Sequence, residues 1–186
     1  ALPPNAGQPA AHHVTLGIGT LLGSPSLAGP DLELGYLIQV SNQDNMPLAG
    51  ATMTLQAGEG MGFQEVFGAV CQSCPPGGAQ WVVELAAIAA GQSETVEVRA
   101  QLGPDLSGLY ETTTTATINL TDGSSQSAAY TTAIDSEPPS VTIGGGDTIR
   151  SGVQTIRGSA RDAGIGVDQV RWRLAGQTDW QAADGT

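Results

Sequence analysis

Two-residue periodicity constrains this chain more than any other feature of its sequence. Over residues 95–102, Val96, Val98, Ala100 and Leu102 alternate with Thr95, Glu97, Arg99 and Gln101. Successive side chains of an extended strand point to opposite sides, so the four apolar residues share one face; on a helix they would scatter around the axis. The same sorting recurs where Leu32, Leu34, Tyr36, Ile38 and Val40 alternate with Glu33, Gly35, Leu37 and Gln39. It returns in Ala51, Met53 and Leu55, and in Trp81, Val83 and Leu85. Residues 110–120 and 128–134 read as two more strands joined at Thr121-Asp122-Gly123-Ser124, whose Asp-Gly pair favours a hairpin turn. With a strand near residues 13–22, at least seven strands precede residue 135.

Many short antiparallel strands at fairly regular spacing predict an all-β fold, an immunoglobulin-like β-sandwich over residues 12–134. Residues 1–11, rich in Pro, Ala and Gly without a basic flank, read as a flexible N-terminal segment rather than a signal peptide. A boundary falls at residues 135–140, where Pro138-Pro139 stiffens the chain and removes two backbone donors. Beyond it, Val141-Thr142-Ile143, residues 153–158, and the set Val170, Trp172 and Leu174 predict the strands of a second immunoglobulin-like module. Residues 141–186 supply only part of such a module.

Composition narrows the function classes. The chain carries 18 carboxylates against six cationic residues, for a net charge of −12, and the cations are Arg99, Arg150, Arg157, Arg161, Arg171 and Arg173. So acidic a surface repels phosphate backbones and anionic lipid, so no nucleic-acid partner is expected. No run approaches the roughly 20 apolar residues of a membrane helix, so no membrane insertion is expected. No lysine is present in these 186 residues, which excludes Schiff-base chemistry and Lys-to-Asn isopeptide crosslinks within them.

At this point the residues resemble two families of bacterial extracellular module. Tyr36-Leu37-Ile38-Gln39-Val40-Ser41-Asn42, and residues 81–85 leading into Ala89-Ala90-Gly91-Gln92-Ser93-Glu94-Thr95-Val96, resemble the conserved-repeat β-sandwich domain of bacterial surface proteins, although Ala90 stands where that family usually has proline. Residues 135–186 are similar to bacterial Ig-like modules appended to secreted enzymes and adhesins. The similarity rests on Asp135, Pro138-Pro139, Ile156-Arg157-Gly158-Ser159-Ala160-Arg161-Asp162, Gly166-Val167 and Trp180. Both resemblances imply a spacer or mechanical role at the bacterial cell surface or in secreted proteins, with neighbouring domains as partners and no catalytic site.

Cys71-Gln72-Ser73-Cys74 fits a redox pair, half a zinc site or a small disulfide; with no thioredoxin-like helix and no second cysteine pair, a disulfide pinning the loop before Trp81 is expected. His12-His13 reads as an exposed terminal pair rather than a chelate, because adjacent strand residues point apart. Asp135, Glu137, Asp162 and Asp168 are candidates for a calcium site, set against ordinary turn carboxylates; no other cofactor is expected. The run Thr112 to Thr115 reads as strand, with two of the four facing inward. Gly144-Gly145-Gly146 precedes a strand, so it serves a turn rather than a phosphate cradle. Trp81 and Trp172 fall in inward sets, which leaves Trp180 as the candidate exposed aromatic for a carbohydrate or protein ligand. The expected function is a non-catalytic structural module. An accessory binding module and an appended piece of a secreted hydrolase are the alternatives.

Overall fold

A computed structural model describes residues 12–22, 24, 27–144, 155–164, 166–167 and 169–184. The 1–11 segment therefore lies outside the described residues. No helix occurs among those described. The chain divides into two compact units, Ala1–Asp135 and Ser136–Thr186.

The first unit holds ten strands: β1 (Val14–Thr20), β2 (Leu27–Ala28), β3 (Glu33–Asn42), β4 (Thr52–Gln56), β5 (Met61–Phe67), β6 (Ala69–Ser73), β7 (Gln80–Leu85), β8 (Ser93–Leu102), β9 (Glu111–Asn119) and β10 (Ser125–Ile134). They form a four-stranded sheet ordered β1-β3-β8-β5 and a six-stranded sheet ordered β2-β10-β9-β4-β7-β6. All pairings are antiparallel except β2 with β10, where Leu27 and Ala28 lie beside Ala133 and Ile134.

The alternation of the sequence becomes a core because the two sheets turn their apolar faces toward each other. In the first sheet Leu34, Tyr36 and Ile38 of β3 lie opposite Ala100, Val98 and Val96 of β8. In the second, Met53 and Leu55 of β4 pair with Val83 and Trp81 of β7 on one side, and with Ile118 and Ala116 of β9 on the other. All of these side chains are buried. Full burial of a large apolar side chain contributes about 1.5–3 kcal/mol, so such a set can offset the entropy of ordering the strands. The inner polar groups are mostly tied. Tyr36 Oη lies 3.3 Å from Thr132 Oγ1 and 3.5 Å from Met61 Sδ. The Asn42 amide donates to the carbonyls of Met46, Ile88 and Ala89, while its oxygen accepts from the Asp44 backbone N–H, which locks the chain reversal after β3.

Several sequence expectations need correction. Leu32 does not join the inward face: it is 37% exposed and precedes β3. The turn before it places Asp31 at φ 58°, which redirects the chain before the ladder begins. β5 and β6 carry no clean alternation in the sequence, because a bulge between Phe63 and Glu65 and another between Cys71 and Ser73 shift the phase of the side chains.

The second unit is built differently. β11 (Ser140–Gly144) pairs with β12 (Arg157–Arg161), and β13 (Arg171–Trp172) with β14 (Gln181–Ala182), as two separate two-stranded ribbons. No described residue of this unit is buried. Ile143 is 76% exposed, and Trp172, expected in an inward set, is 42% exposed. The strand expected over residues 153–158 is instead β12, starting at Arg157; residues 153 and 154 lie outside the described set.

Candidate functional sites

The cysteine pair sits on the edge of the six-stranded sheet. Cys71 and Cys74 are disulfide-bonded, with Cα atoms 5.9 Å apart. Cys71 lies within β6 and Cys74 in the loop that leads to β7, and the bond spans the bulge at which β6 loses register with β7. The Pro75–Gly78 turn that follows is stitched onto the sandwich. Phe63 bonds the turn through both its backbone groups, with Gly77 N–H donating to Phe63 O at 2.8 Å and Phe63 N–H donating to Gly78 O at 3.1 Å. Trp81 Nε1–H donates to Pro75 O at 2.8 Å, so the one polar atom of this buried indole is satisfied by the turn. Phe63 packs on Trp81 with ring centroids 5.3 Å apart. The approach is close enough that a Cβ on Gly62 would stand 2.5 Å from Gly77 O. Disulfide, turn and indole therefore close one side of the sandwich.

Of the two histidines expected to be exposed, His13 is, with 81% of its side chain open, and His12 is not. His12 Nδ1 lies 2.9 Å and His13 Nδ1 3.4 Å from the two carboxylate oxygens of Asp44, and the His12 side chain retains only 17% exposure. They precede β1, so the alternation that would separate them on a strand does not apply. The His12 backbone N–H also donates to Asp122 Oδ2 at 3.1 Å. This fastens the entry to β1 onto the turn after β3 and onto the β9–β10 hairpin. The Asp44 carboxyl is held below its ordinary range, first by the His12 hydrogen bond and then by the His13 backbone N–H. Asp122 is lowered to about 2, chiefly by the Ser124 hydroxyl and backbone N–H.

The threonine run lies in β9 with Thr112 and Thr114 buried and Thr113 and Thr115 turned outward. Thr112 Oγ1 donates to Glu59 O, and Thr113 pairs with Thr131 at 2.9 Å; Thr114 Oγ1 is buried without a partner. Gly144 ends β11, and Gly145 and Gly146 lie outside the described residues. Of the calcium candidates, Asp135 closes the first unit with its backbone N–H on Ala28 O. Asp162 accepts from Gly164 N–H at 2.7 Å in an Asx turn of the second unit. Glu137 belongs to that unit, and Asp168 lies outside the described residues. Among the described residues no three His, Cys, Asp or Glu side chains gather as a metal-holding group.

Trp180 is 55% exposed and immediately precedes β14, with the Arg173 guanidinium 4.6 Å from its ring centroid. The sequence singled out the indole but not the arginine across the ribbon from it. The signal was present in Arg171-Trp172-Arg173, whose alternation places both guanidinium groups on one side.

The solved structures supply the comparison. The full-length major pilin SpaD from Corynebacterium diphtheriae is similar at 9% identity with a TM-score of 0.50, over 70% of this chain and 36% of that one. The fold is an immunoglobulin-like β-sandwich. The CARDB domain of the PF1109 protein from Pyrococcus furiosus, solved in complex with di-metal ions, is 11% identical with a TM-score of 0.42, over 67% of this chain and 89% of that one. BcpA, the major pilin subunit of Bacillus cereus, is 10% identical with a TM-score of 0.48, over 70% and 42%. No family model matches the chain, and no curated protein matches it. What the likeness to SpaD shows is the fold alone.

Proposed function

We propose that the chain is a non-catalytic structural or spacer piece of an extracellular bacterial surface protein, in which the immunoglobulin-like sandwich holds its neighbours at a distance. The observation that carries this reading is how the sandwich uses its polar groups. Asn42, Asp44, Asp122 and the Trp81 indole are spent on fastening turns to strands, and the disulfide closes an edge. A disulfide persists outside the reducing cytoplasm, which favours an extracellular setting. The Pro138-Pro139 step is the composition of a short, stiff spacer. The conserved-repeat family remains the family this reading favours for the first unit.

Pulling the chain from its two ends in a single-molecule force experiment tests the proposal. The expected trace shows one cooperative rupture that releases about 40 nm of contour, the extended length of the sandwich unit at roughly 3.4 Å per residue. Gradual extension without a rupture would remove the spacer reading. The alternative, an accessory binding module, is favoured by one observation, the exposed Trp180. For the hydrolase alternative, activity of a parent protein that survives excision of these residues would be the support.

A further inference from the structure

The arginines fall into two environments. Arg99 lies among carboxylates, with Glu97, Glu33 and Glu65 at 3.1, 3.5 and 4.0 Å. Arg157, Arg161, Arg171 and Arg173, all in the second unit, form no ion pair with a carboxylate among the described residues. The second unit carries five arginines against six carboxylates, so it is close to neutral where the sandwich is strongly negative.

Two of them gather at an exposed indole. Arg171 lies opposite Ala182 and Trp172 opposite Gln181 in the β13–β14 ribbon, so the next step of the register sets Arg173 across from Trp180. Alternation then places Arg171, Arg173, Trp180 and Ala182 on one side. Arg173 stacks on the indole, which fixes the ring against the ribbon while leaving it more than half exposed. Gln169, Arg171 and Trp180 line a shallow, open depression. Gln169 Oε1 accepts from Arg171 Nε, which leaves the terminal N–H groups of Arg171 without a partner among the described residues. Asp184, two residues past Ala182, forms no ion pair with either guanidinium.

We propose that this side of the β13–β14 ribbon binds a saccharide carrying a uronate. The apolar C–H face of a pyranose stacks on Trp180, the Arg171 fork takes the uronate carboxylate with Arg173 beside it, and the Gln169 amide donates to a ring hydroxyl. Charge favours this ligand over nucleic acid. A phosphate on every nucleotide would set a polyanion against a chain of net charge −12, and that repulsion grows with each added phosphate. A glycan with one uronate among neutral sugars brings a single charge. The site does not depend on the spacer reading.

The test is calorimetric titration of the 186-residue chain with a xylo-oligosaccharide bearing one glucuronate, and with the same oligosaccharide lacking it. The acidic form should bind about tenfold tighter, as expected for one charge-assisted contact, and added salt should narrow the gap. Trp180→Ala should abolish binding, and Trp180→Phe, which keeps an aromatic face, should retain part of it. The double variant Arg171→Gln with Arg173→Gln should bind both oligosaccharides alike, while Arg157→Gln, on the other ribbon, should change nothing. Equal affinity for the two oligosaccharides in the unaltered chain, no binding of either at millimolar concentration, or an equal loss in Arg157→Gln would overturn the proposal. So would tighter binding of a dinucleotide, which would assign the site to nucleic acid.

Discussion

The two units write strands in the same way and end in opposite states. In the sandwich, Leu34, Tyr36, Ile38 and Val40 are fully buried, whereas Val141 and Ile143 of β11, which carry the same alternation, are more than half exposed. The difference lies in what faces them. The two sheets of the first unit bury their apolar faces in one core, and the second unit holds two-stranded ribbons in which no described residue is buried. Alternation makes an apolar face; only a facing layer turns it into a core.

The contrast can be broken most directly by truncation. Phe63→Ala should destabilise the sandwich by about 3–5 kcal/mol, because the ring is fully buried against Trp81. Ile143→Ala should change stability by only about 0.5 kcal/mol or less, as is usual for an exposed position. Denaturant melts followed through the buried Trp81 would measure both. Comparable losses at the two sites would mean that the ribbon face is covered in solution.

A smaller effect separates the edge of the sandwich from its centre. Replacing Cys71 and Cys74 with serine should cost roughly 2 kcal/mol or less, since a disulfide with a sequence separation of 3 closes a very short loop. Hydrogen exchange should accelerate in β6 while β3 and β8 stay protected. Uniform acceleration across both sheets would show the edge to be part of the cooperative core.

The smallest effect is electrostatic. Asp44 and Asp122 have lowered carboxyl values in the sandwich, so their contribution is present above the ordinary value of 3.8 and is lost as pH falls below it, for Asp122 through about 2. Thermal melts between pH 5 and 2 should show the midpoint falling, with a shallower fall in Asp44→Asn with Asp122→Asn. An unchanged slope in the double variant would remove the fastening of the β1 entry as a source of acid sensitivity.

Most of the sandwich was legible because its central strands are regular. β3, β4, β7, β8 and β9 keep strict phase, and the inward sets centred on Tyr36, Met53, Trp81 and Val98 are the ones the structure buries. The irregular strands were not legible. A bulge moves later side chains to the other face, so β5 and β6 show no repeating pattern even though they complete both sheets. The candidate ligand site was half visible. Trp180 stood out as an aromatic without an inward set, but its pairing with Arg173 depends on a ribbon register that no local pattern states.

By itself the sequence determined which segments are extended, which of their faces are apolar, where the stiff Pro138-Pro139 step falls and that the charge is strongly negative, because these follow from side-chain chemistry and a two-residue repeat. Tertiary structure alone decided which apolar faces acquire a partner, that Leu32 and Trp172 are exposed, and that His12 and His13 converge on Asp44. Those outcomes depend on contacts between residues far apart in sequence, and their free energy resides in the meeting of two surfaces rather than in either one.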